Sequence, residues 1–527
     1  MADIPVLIVG AGPTGLLLAV ELARRNAPFH LIDRRTEPLG WDRAAVVKSR
    51  SLEIFNSLGL ADEFVRRGHP FPRVKLFRGT KQEASLHLDR IDGDYRFNLG
   101  LSEEETENIL TGKLAELGHR IERGVEFEGL EQKPDKAQAR LKGPDGQERT
   151  IDASWIVGTD GVHSSVRSAI DDAFVGKDYE PLWAVVDGRL EGWRHGNDMA
   201  VGQLVAPVAM AIPIRKDRWR IYFVPETTDD EAVPRVVRRL ETLSPGVTLE
   251  EADEPQYFHA HSRVAERFRV GRVLLAGDAA HVCSPLEGHG MNMGLHDAHN
   301  LGWKLALVVN GQAPESLIDS YESERRPVDA AIAESGDEAE ARLLPGGEAA
   351  LQEAIDFLNT DDGAVAAAAG EAELALGYEQ SPIIDVSSDV DEPDCTKVGF
   401  RAKNAKPVHN GGSAIGLHDL LHDTGHTVFL LMGDADPSEA AELFDRVKQA
   451  INPYAPHIRA FAVTKNQAAT PTDSPDWLHD PDGALHRCLA GGQPSLCAVR
   501  PDHHLGYRSS PTSIGGLQAY FARIYSL

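Results

Sequence analysis

The stretch Ile4 to Arg35, IPVLIVGAGPTGLLLAVELARRNAPFHLIDRR, constrains the fold more than any other part of the chain. An apolar run suited to a buried strand enters a glycine turn, a helical pattern follows, and a second apolar run ends on Asp33. Gly10 permits the tight turn, Gly12 lets a pyrophosphate approach the backbone, and Gly15 lets helix and strand pack closely; Pro13 belongs to the same turn. The N–H groups that open the helix attract an anion. Leu16, Ala19, Val20 and Ala23 recur at helical spacing and give the helix one face to bury. Asp33, 18 residues after Gly15, stands where a carboxylate accepts hydrogen bonds from ribose hydroxyls, and Arg34 and Arg35 follow where phosphate or adenine would lie. GxGxxG alone is a weak signal; with strand, helix and acid in place it reads as a dinucleotide cradle.

At 527 residues the chain is expected to hold two or three domains. Its 54 Lys and Arg against 81 Asp and Glu leave a formal charge of −27, which repels nucleic-acid phosphates and anionic lipid and keeps the surface soluble. The four cysteines are scattered without metal spacing, as expected of a reduced compartment. No leader pattern precedes the first strand, and no apolar run approaches the roughly 18 residues of a membrane span. A soluble cytoplasmic protein is expected.

Gly40 to Leu60 reads as a polar loop feeding a helix marked by Leu52, Phe55 and Leu58, with Arg43 and Arg50 as candidate polar contacts. Ser102 to Gly118 opens with Ser-x-x-Glu, a helix start. Ser154 to Arg167, SWIVGTDGVHSSVR, is a short strand running into Asp160 and Gly161. Between about Phe174 and His261 the pattern changes to strands, with Trp219, Ile221 and Phe223 alternating with Arg218, Arg220 and Tyr222. The α/β pattern returns at Gly271 to Val309: a buried strand, Gly277-Asp278, a loop with Pro285, Gly288 and Gly290, then a helix. YESERRP, Tyr321 to Pro327, is expected to end this unit, and an acidic, alanine-rich helix and linker follow. From Lys397 the order β-α-β-β-β-α suggests an independent thioredoxin-like layer, without the CxxC of dithiol exchange.

GAGPTG with Asp33, TDGVHSSVR, and AGDAAHVCSPLEGHGMNMGLHDAHNLGWKL together resemble the FAD-dependent aromatic hydroxylases, the group A flavoprotein monooxygenases typified by p-hydroxybenzoate hydroxylase and phenol hydroxylase. The match spans Ile4 to about Pro327, and VGFRA, GLHDLL and VRPDHHLGYR are similar to the thioredoxin-like tail of the phenol and polyketide hydroxylases. The resemblance implies an α/β fold in which a Rossmann-like FAD-binding domain (1–173 and 266–340) is interrupted by an antiparallel β-sheet substrate domain (174–265). A helical and linker region (341–396) and a thioredoxin-like domain (397–527) follow.

By the same resemblance Gly10, Gly12, Pro13, Gly15, Asp33 and Arg34 hold the ADP half of FAD, and Arg43 lies near the pyrophosphate. Asp160 and Gly161 serve both FAD and a passing nicotinamide. Gly277 and Asp278 hold the ribitol, and Pro285, Gly288, Gly290, Met291 and Asn292 line the isoalloxazine. Glu103 and His289 depart from the family, standing where glutamine is common.

The implied chemistry is hydroxylation of a phenolic ring through a C4a-hydroperoxyflavin, with NADPH or NADH and O2 as co-substrates. It calls for a dry apolar roof and a base near the substrate. His289 is the candidate base, Tyr222 and Arg220 are candidates to hold the phenolic oxygen, and Pro285 lies at the flavin edge. One alternative is a hydroxylase of large polyketide or antibiotic scaffolds; another is a flavin-binding interaction protein without turnover. No metal is expected, because His259, His261, His281, His503 and His504 lack further ligands at sensible spacing. The expected partners are a small aromatic substrate and a second copy of the chain, with the tail as packing and dimer support.

Overall fold

The computed structural model describes residues 4–38, 44–204, 208–225, 232–343, 346–385, 395–406, 408–410, 413–421, 424–466 and 474–526. Its first strand, Ile4–Val9, pairs in parallel with Glu148–Gly158 on one side and His30–Asp33 on the other. Val273–Leu275 continues the parallel set beyond Glu148–Gly158, and Glu122–Arg123 continues it beyond His30–Asp33. A parallel sheet of this kind is covered on both faces, which is why Val6, Leu7 and Ile8 are apolar in succession rather than alternating. Helix Pro13–Ala23 packs on helices Glu103–Glu116 and Gly290–Val309. Ser102 caps the Glu103–Glu116 helix as expected, accepting from the Glu105 N–H at 3.3 Å.

The middle of the chain forms a nine-stranded sheet. Phe174–Glu191, the longest strand, pairs antiparallel with Gln256–Ala265 and Trp219–Phe223. The sheet also recruits Arg73–Arg78 and Lys81–His87 from the first segment, and Arg73–Arg78 pairs in parallel with Met199–Gln203. It is therefore mixed at that edge, and it draws strands from outside 174–265.

The unit does not end at Pro327. Helix Asp319–Leu343 runs through that proline. The roughly 3 kcal/mol a helix loses at an internal proline is offset by buried anchoring on both sides, where Arg325 binds Asp297 at 2.7 Å and Asp329 at 2.6 Å. Helices Glu348–Leu358 and Asp361–Glu371 follow, and 386–394 lie outside the described residues.

The C-terminal part is built on a seven-stranded sheet. Its centre, His426–Leu431, Ile458–Thr464 and Trp477–His479, is parallel, and Ser495–Val499 and Leu505–Ser509 extend it antiparallel. It is not independent of the rest. Tyr520, Phe521 and Leu517 of the last helix share one apolar cluster with Trp303 and Leu307 of helix Gly290–Val309. Arg500 binds Glu324 through two hydrogen bonds of 2.6 and 2.8 Å, all of it buried. Among the described residues no helix is long and apolar enough to cross a membrane.

Candidate functional site

The glycine turn is held from outside as well as by its own sequence. Gly10 has φ +106°, and a Cβ there would stand 2.4 Å from the Thr159 carbonyl oxygen; one on Gly15 would stand 2.0 Å from the Gly10 carbonyl oxygen. The Thr159 hydroxyl donates to the carbonyls of Val9 and Gly10 at 3.0 and 2.8 Å. Gly12 is different: nothing lies closer than 3.8 Å to its would-be Cβ, where Glu107 Oε1 stands. Helix Pro13–Ala23 begins there with no side chain capping its first N–H groups. Asp33 accepts from the backbone N–H of Ala11 at 2.7 Å and of Arg35 at 2.8 Å, so it shapes the turn while leaving lone pairs for a ribose. Arg34 is exposed beside it, and Arg43 lies outside the described residues.

The second segment meets the turn through Thr159, and the third meets the first helix at Thr14. A Cβ on Gly277 would lie 2.5 Å from Thr14 Oγ1, and one on Gly294 would lie 2.3 Å from the same atom. Asp160 is spent on its own loop, accepting from the Ser164 hydroxyl at 2.5 Å and the Ser165 N–H at 2.7 Å, and so capping helix Ser165–Ala169. Gly161 beside it has φ +85°, which a glycine takes at little cost. Arg167 ties this loop to the next by donating to the carbonyls of Ala279 and Val162, both at 2.7 Å. The Gly277 N–H donates to Asp297 at 2.9 Å, and His281 contacts the same carboxylate at 2.7 Å. Burial pushes the Asp297 carboxyl up, but His281 and Arg325 outweigh it and hold it at about 2. Asp278 takes no hydrogen bond from any described residue, which leaves its carboxylate for a ligand.

His281, Asp297 and Asp329 offer atoms within 4.8 Å of one another, the spacing of a metal site. Arg325 lies between the two acids and already supplies the positive charge.

In the loop after Ser284, Gly288 adopts φ +66° and Gly290 opens helix Gly290–Val309 with nothing within 4 Å of its would-be Cβ. This is a second uncapped helix start. The Asn292 side chain donates to the carbonyls of Val46 and Gly288 at 2.9 and 3.0 Å and accepts from the Lys48 N–H at 3.0 Å. Asn292 therefore shapes the loop through its side chain. Met291 is half-buried against the main core, and Pro285 is half-buried at the loop's start.

The two faces of the central sheet pack against different neighbours. Trp219, Ile221 and Phe223 cluster with Val236 and Leu240 of the helix covering the far side, so they cannot roof the loop. Tyr222 lies on the other face in a cluster with Trp183, Ile214 and Ala45, and Leu286 of the Pro285–Glu287 turn packs against that cluster. That face is the one turned toward the loop. Arg220 shares it but is committed, with two hydrogen bonds of 2.8 Å to Asp187 and one of 2.8 Å to the Ala44 carbonyl. These bonds tie the strand to the Ala44 loop. Trp183 is 1% exposed, and its indole nitrogen has no acceptor among the described residues. His289 is buried, its Nδ1 2.7 Å from Glu373 Oε1.

Sequence reasoning missed three of these groups. Glu107 follows Glu103 by one helical turn, a spacing that was available as a signal. Trp183 and Glu373 carried none, because face and long-range contact are settled only by packing.

Two uncapped helix starts, open space before Gly12 and an unpaired Asp278 fit FAD, whose diphosphate needs N–H donors and whose ribitol hydroxyls need an acceptor. The family model described as FAD binding domain matches residues 3–335. The chain belongs to that family. As a member it is a flavoprotein oxidoreductase with FAD as its cofactor. It is 32% identical to 6-methylpretetramide 4-monooxygenase from Streptomyces rimosus, over 97% of this chain and 93% of that one. It is 29% identical to pentachlorophenol 4-monooxygenase from Sphingobium chlorophenolicum, over 96% of this chain and 94% of that one. The solved complex of the flavin-dependent monooxygenase PieE with FAD and substrate shares the fold, with a TM-score of 0.81 over 99% of this chain and 98% of that one at 22% identity.

Proposed function

We propose that the protein hydroxylates a phenolic ring, consuming O2 and NAD(P)H and releasing water and NAD(P)+. Two observations carry this reading: Gly277 closes on Thr14 beside the Gly12 turn, and Leu286 of the loop after Ser284 packs against the apolar cluster of Tyr222, Trp183 and Ile214. Bound FAD supplies the redox chemistry, accepting reducing equivalents from the nicotinamide and activating O2.

The residues do the rest. The N–H groups that open the helix after Gly12 would hold the diphosphate, Asp33 and Asp278 would take ribose and ribitol hydroxyls, and the N–H groups at Gly290 would offer donors to the flavin ring. Asp160 acts through loop shape, and the family's nicotinamide docks against its surface. Tyr222, Ile214 and Leu286 exclude water above the flavin loop, which protects the oxidant from wasteful release. The Trp183 indole N–H is the donor offered to a substrate oxygen, and His289 takes the phenolic proton so that the ring becomes the better nucleophile. The C-terminal unit is read as thioredoxin-like, with a packing role, in a cytoplasmic homodimer.

A second reading, a polycyclic aromatic substrate, is favoured by the full-length similarity to 6-methylpretetramide 4-monooxygenase. A panel of simple phenols, resorcinols and polycyclic aromatics, scored by stimulated NAD(P)H oxidation and by product mass, separates the two. Oxidation that no member stimulates would refute both.

A further inference from the structure

Glu373 connects the flavin loop to a polar chamber that the chemistry above does not use. It follows helix Asp361–Glu371, is 2% exposed, and holds φ +60°, a left-handed conformation that costs a glutamate and persists only where its surroundings impose it. One carboxyl oxygen is 2.7 Å from His289 Nδ1, and the other is 3.2 Å from His296 Nε2. His296 Nε2 and that second oxygen approach each other without the alignment of a hydrogen bond, and neither makes one with any other described group, so both are left open for proton exchange.

His296 lies two turns along the helix that His289 caps, and it lines a chamber of about 10 Å³ with Arg50, His299, Asn300, Asp502 and His504. That space is close to the least that holds one water, and the lining supplies the polar partners a water needs. His299 Nε2 and both ring nitrogens of the neighbouring His503, whose ring lies 5.9 Å from that of His299, are buried without partners among the described residues. Unpaired buried nitrogens cost stability unless they serve something.

We infer that Glu373 is a positioning residue that joins His289 to His296 as one proton path, carrying the phenolic proton from the flavin loop into the chamber. This rests on the hydroxylase reading. The substrate O–H bond breaks and His289 Nε2 gains the proton; His289 Nδ1 passes one to Glu373, whose other oxygen passes one to His296 and on to chamber water. One proton enters and one leaves, no electrons move, and the substrate remains as phenolate. The groups that bias the path are also fixed. Lys48 and Glu371 face Glu373, and Glu287 Oε2 stands 4.0 Å from His289 Nε2. Burial, with the charges of Arg325, Arg50, His299 and His504, disfavours the His296 imidazolium, so this ring takes a proton on one nitrogen only as it releases one from the other to chamber water.

The test uses the FAD-loaded full chain with 4-nitrophenol, whose phenolate is coloured. Stopped-flow mixing in weak buffer with a pH indicator follows phenolate formation and proton release together. Wild type is expected to ionise the bound phenol and release its proton in the same phase. Glu373→Gln should keep its flavin and bind the phenol, but form phenolate about 100-fold more slowly, with its pH midpoint displaced upward. His296→Asn should slow proton release similarly. It also carries the test if Glu373→Gln loses its flavin. Wild-type rates and midpoints in these variants would overturn the path, leaving the hydroxylase reading intact. Wild-type enzyme that neither ionises nor hydroxylates any phenol overturns that reading and the path with it.

Discussion

Thr14 Oγ1 stands 2.5 Å from the point a Cβ on Gly277 would occupy, and 2.3 Å from the corresponding point on Gly294. One hydroxyl thus sets how closely the first helix, the Gly277-Asp278 turn and the Gly290–Val309 helix approach. Gly294→Ala should therefore destabilise by about 1–3 kcal/mol through overpacking and weaken FAD retention. Thr14→Ala in the same chain should recover part of that loss. Denaturation of the two single variants and the double variant measures the coupling; strictly additive effects would show that the two residues do not meet.

Asp278 presents a carboxylate that no described residue binds. Asp278→Ala should leave the melting temperature of the flavin-free protein nearly unchanged and purify largely colourless. The flavin-to-protein absorbance ratio reports the outcome, and a fully yellow, active variant contradicts the assignment.

Arg220 and Asp187 form a buried ion pair with two 2.8 Å hydrogen bonds. Arg220→Ala strands the carboxylate and should cost about 3–5 kcal/mol of stability. Tyr222→Phe removes one hydroxyl from the roof and should change substrate KM or coupling far more than stability. Urea denaturation beside steady-state kinetics distinguishes the two residues.

Glu107 faces Gly12 and Asp33 from helix Glu103–Glu116. Burial, with the neighbouring Glu103 carboxylate, raises it to about 7. It is therefore neutral below that value and charged above it, where it repels a diphosphate. FAD affinity should fall as pH rises through about 7, because the bound state then has to take up a proton. Glu107→Gln stays neutral and should bind FAD with a flatter pH dependence. Flavin fluorescence titrations on either side of neutrality decide it.

Arg500 joins the C-terminal unit to Glu324, and Lys304 contacts the same carboxylate at 2.6 Å. Arg500→Met should cost about 3–5 kcal/mol and lower the melting temperature of the whole chain in one transition. Two separate transitions would mean that the unit folds alone.

The cradle was legible because its causes are local. Gly10, Gly12, Gly15 and Asp33 act within one strand-turn-helix-strand unit, where spacing alone dictates which backbone groups meet. Pro327 misled for the opposite reason: a proline ends a helix by local energetics, and the buried pairs of Arg325 with Asp297 and Asp329 override it. The faces of Trp219–Phe223 follow the same division. Alternation assigned Arg220 and Tyr222 to one face, but only the cluster that Tyr222 shares with Ala45, with Leu286 packed on it, shows that this face is turned toward the loop.

The order of amino acids by itself determined the nucleotide cradle, the α/β class and the three glycine-bearing segments, since each depends on neighbours a few residues apart. Only the tertiary structure decided that the third segment meets the first at Thr14 and the second meets it at Thr159, that Arg220 is spent on Asp187, and that Glu373 reaches His289 across 84 positions. Such contacts depend on how buried surfaces fit together, and no local periodicity encodes that fit.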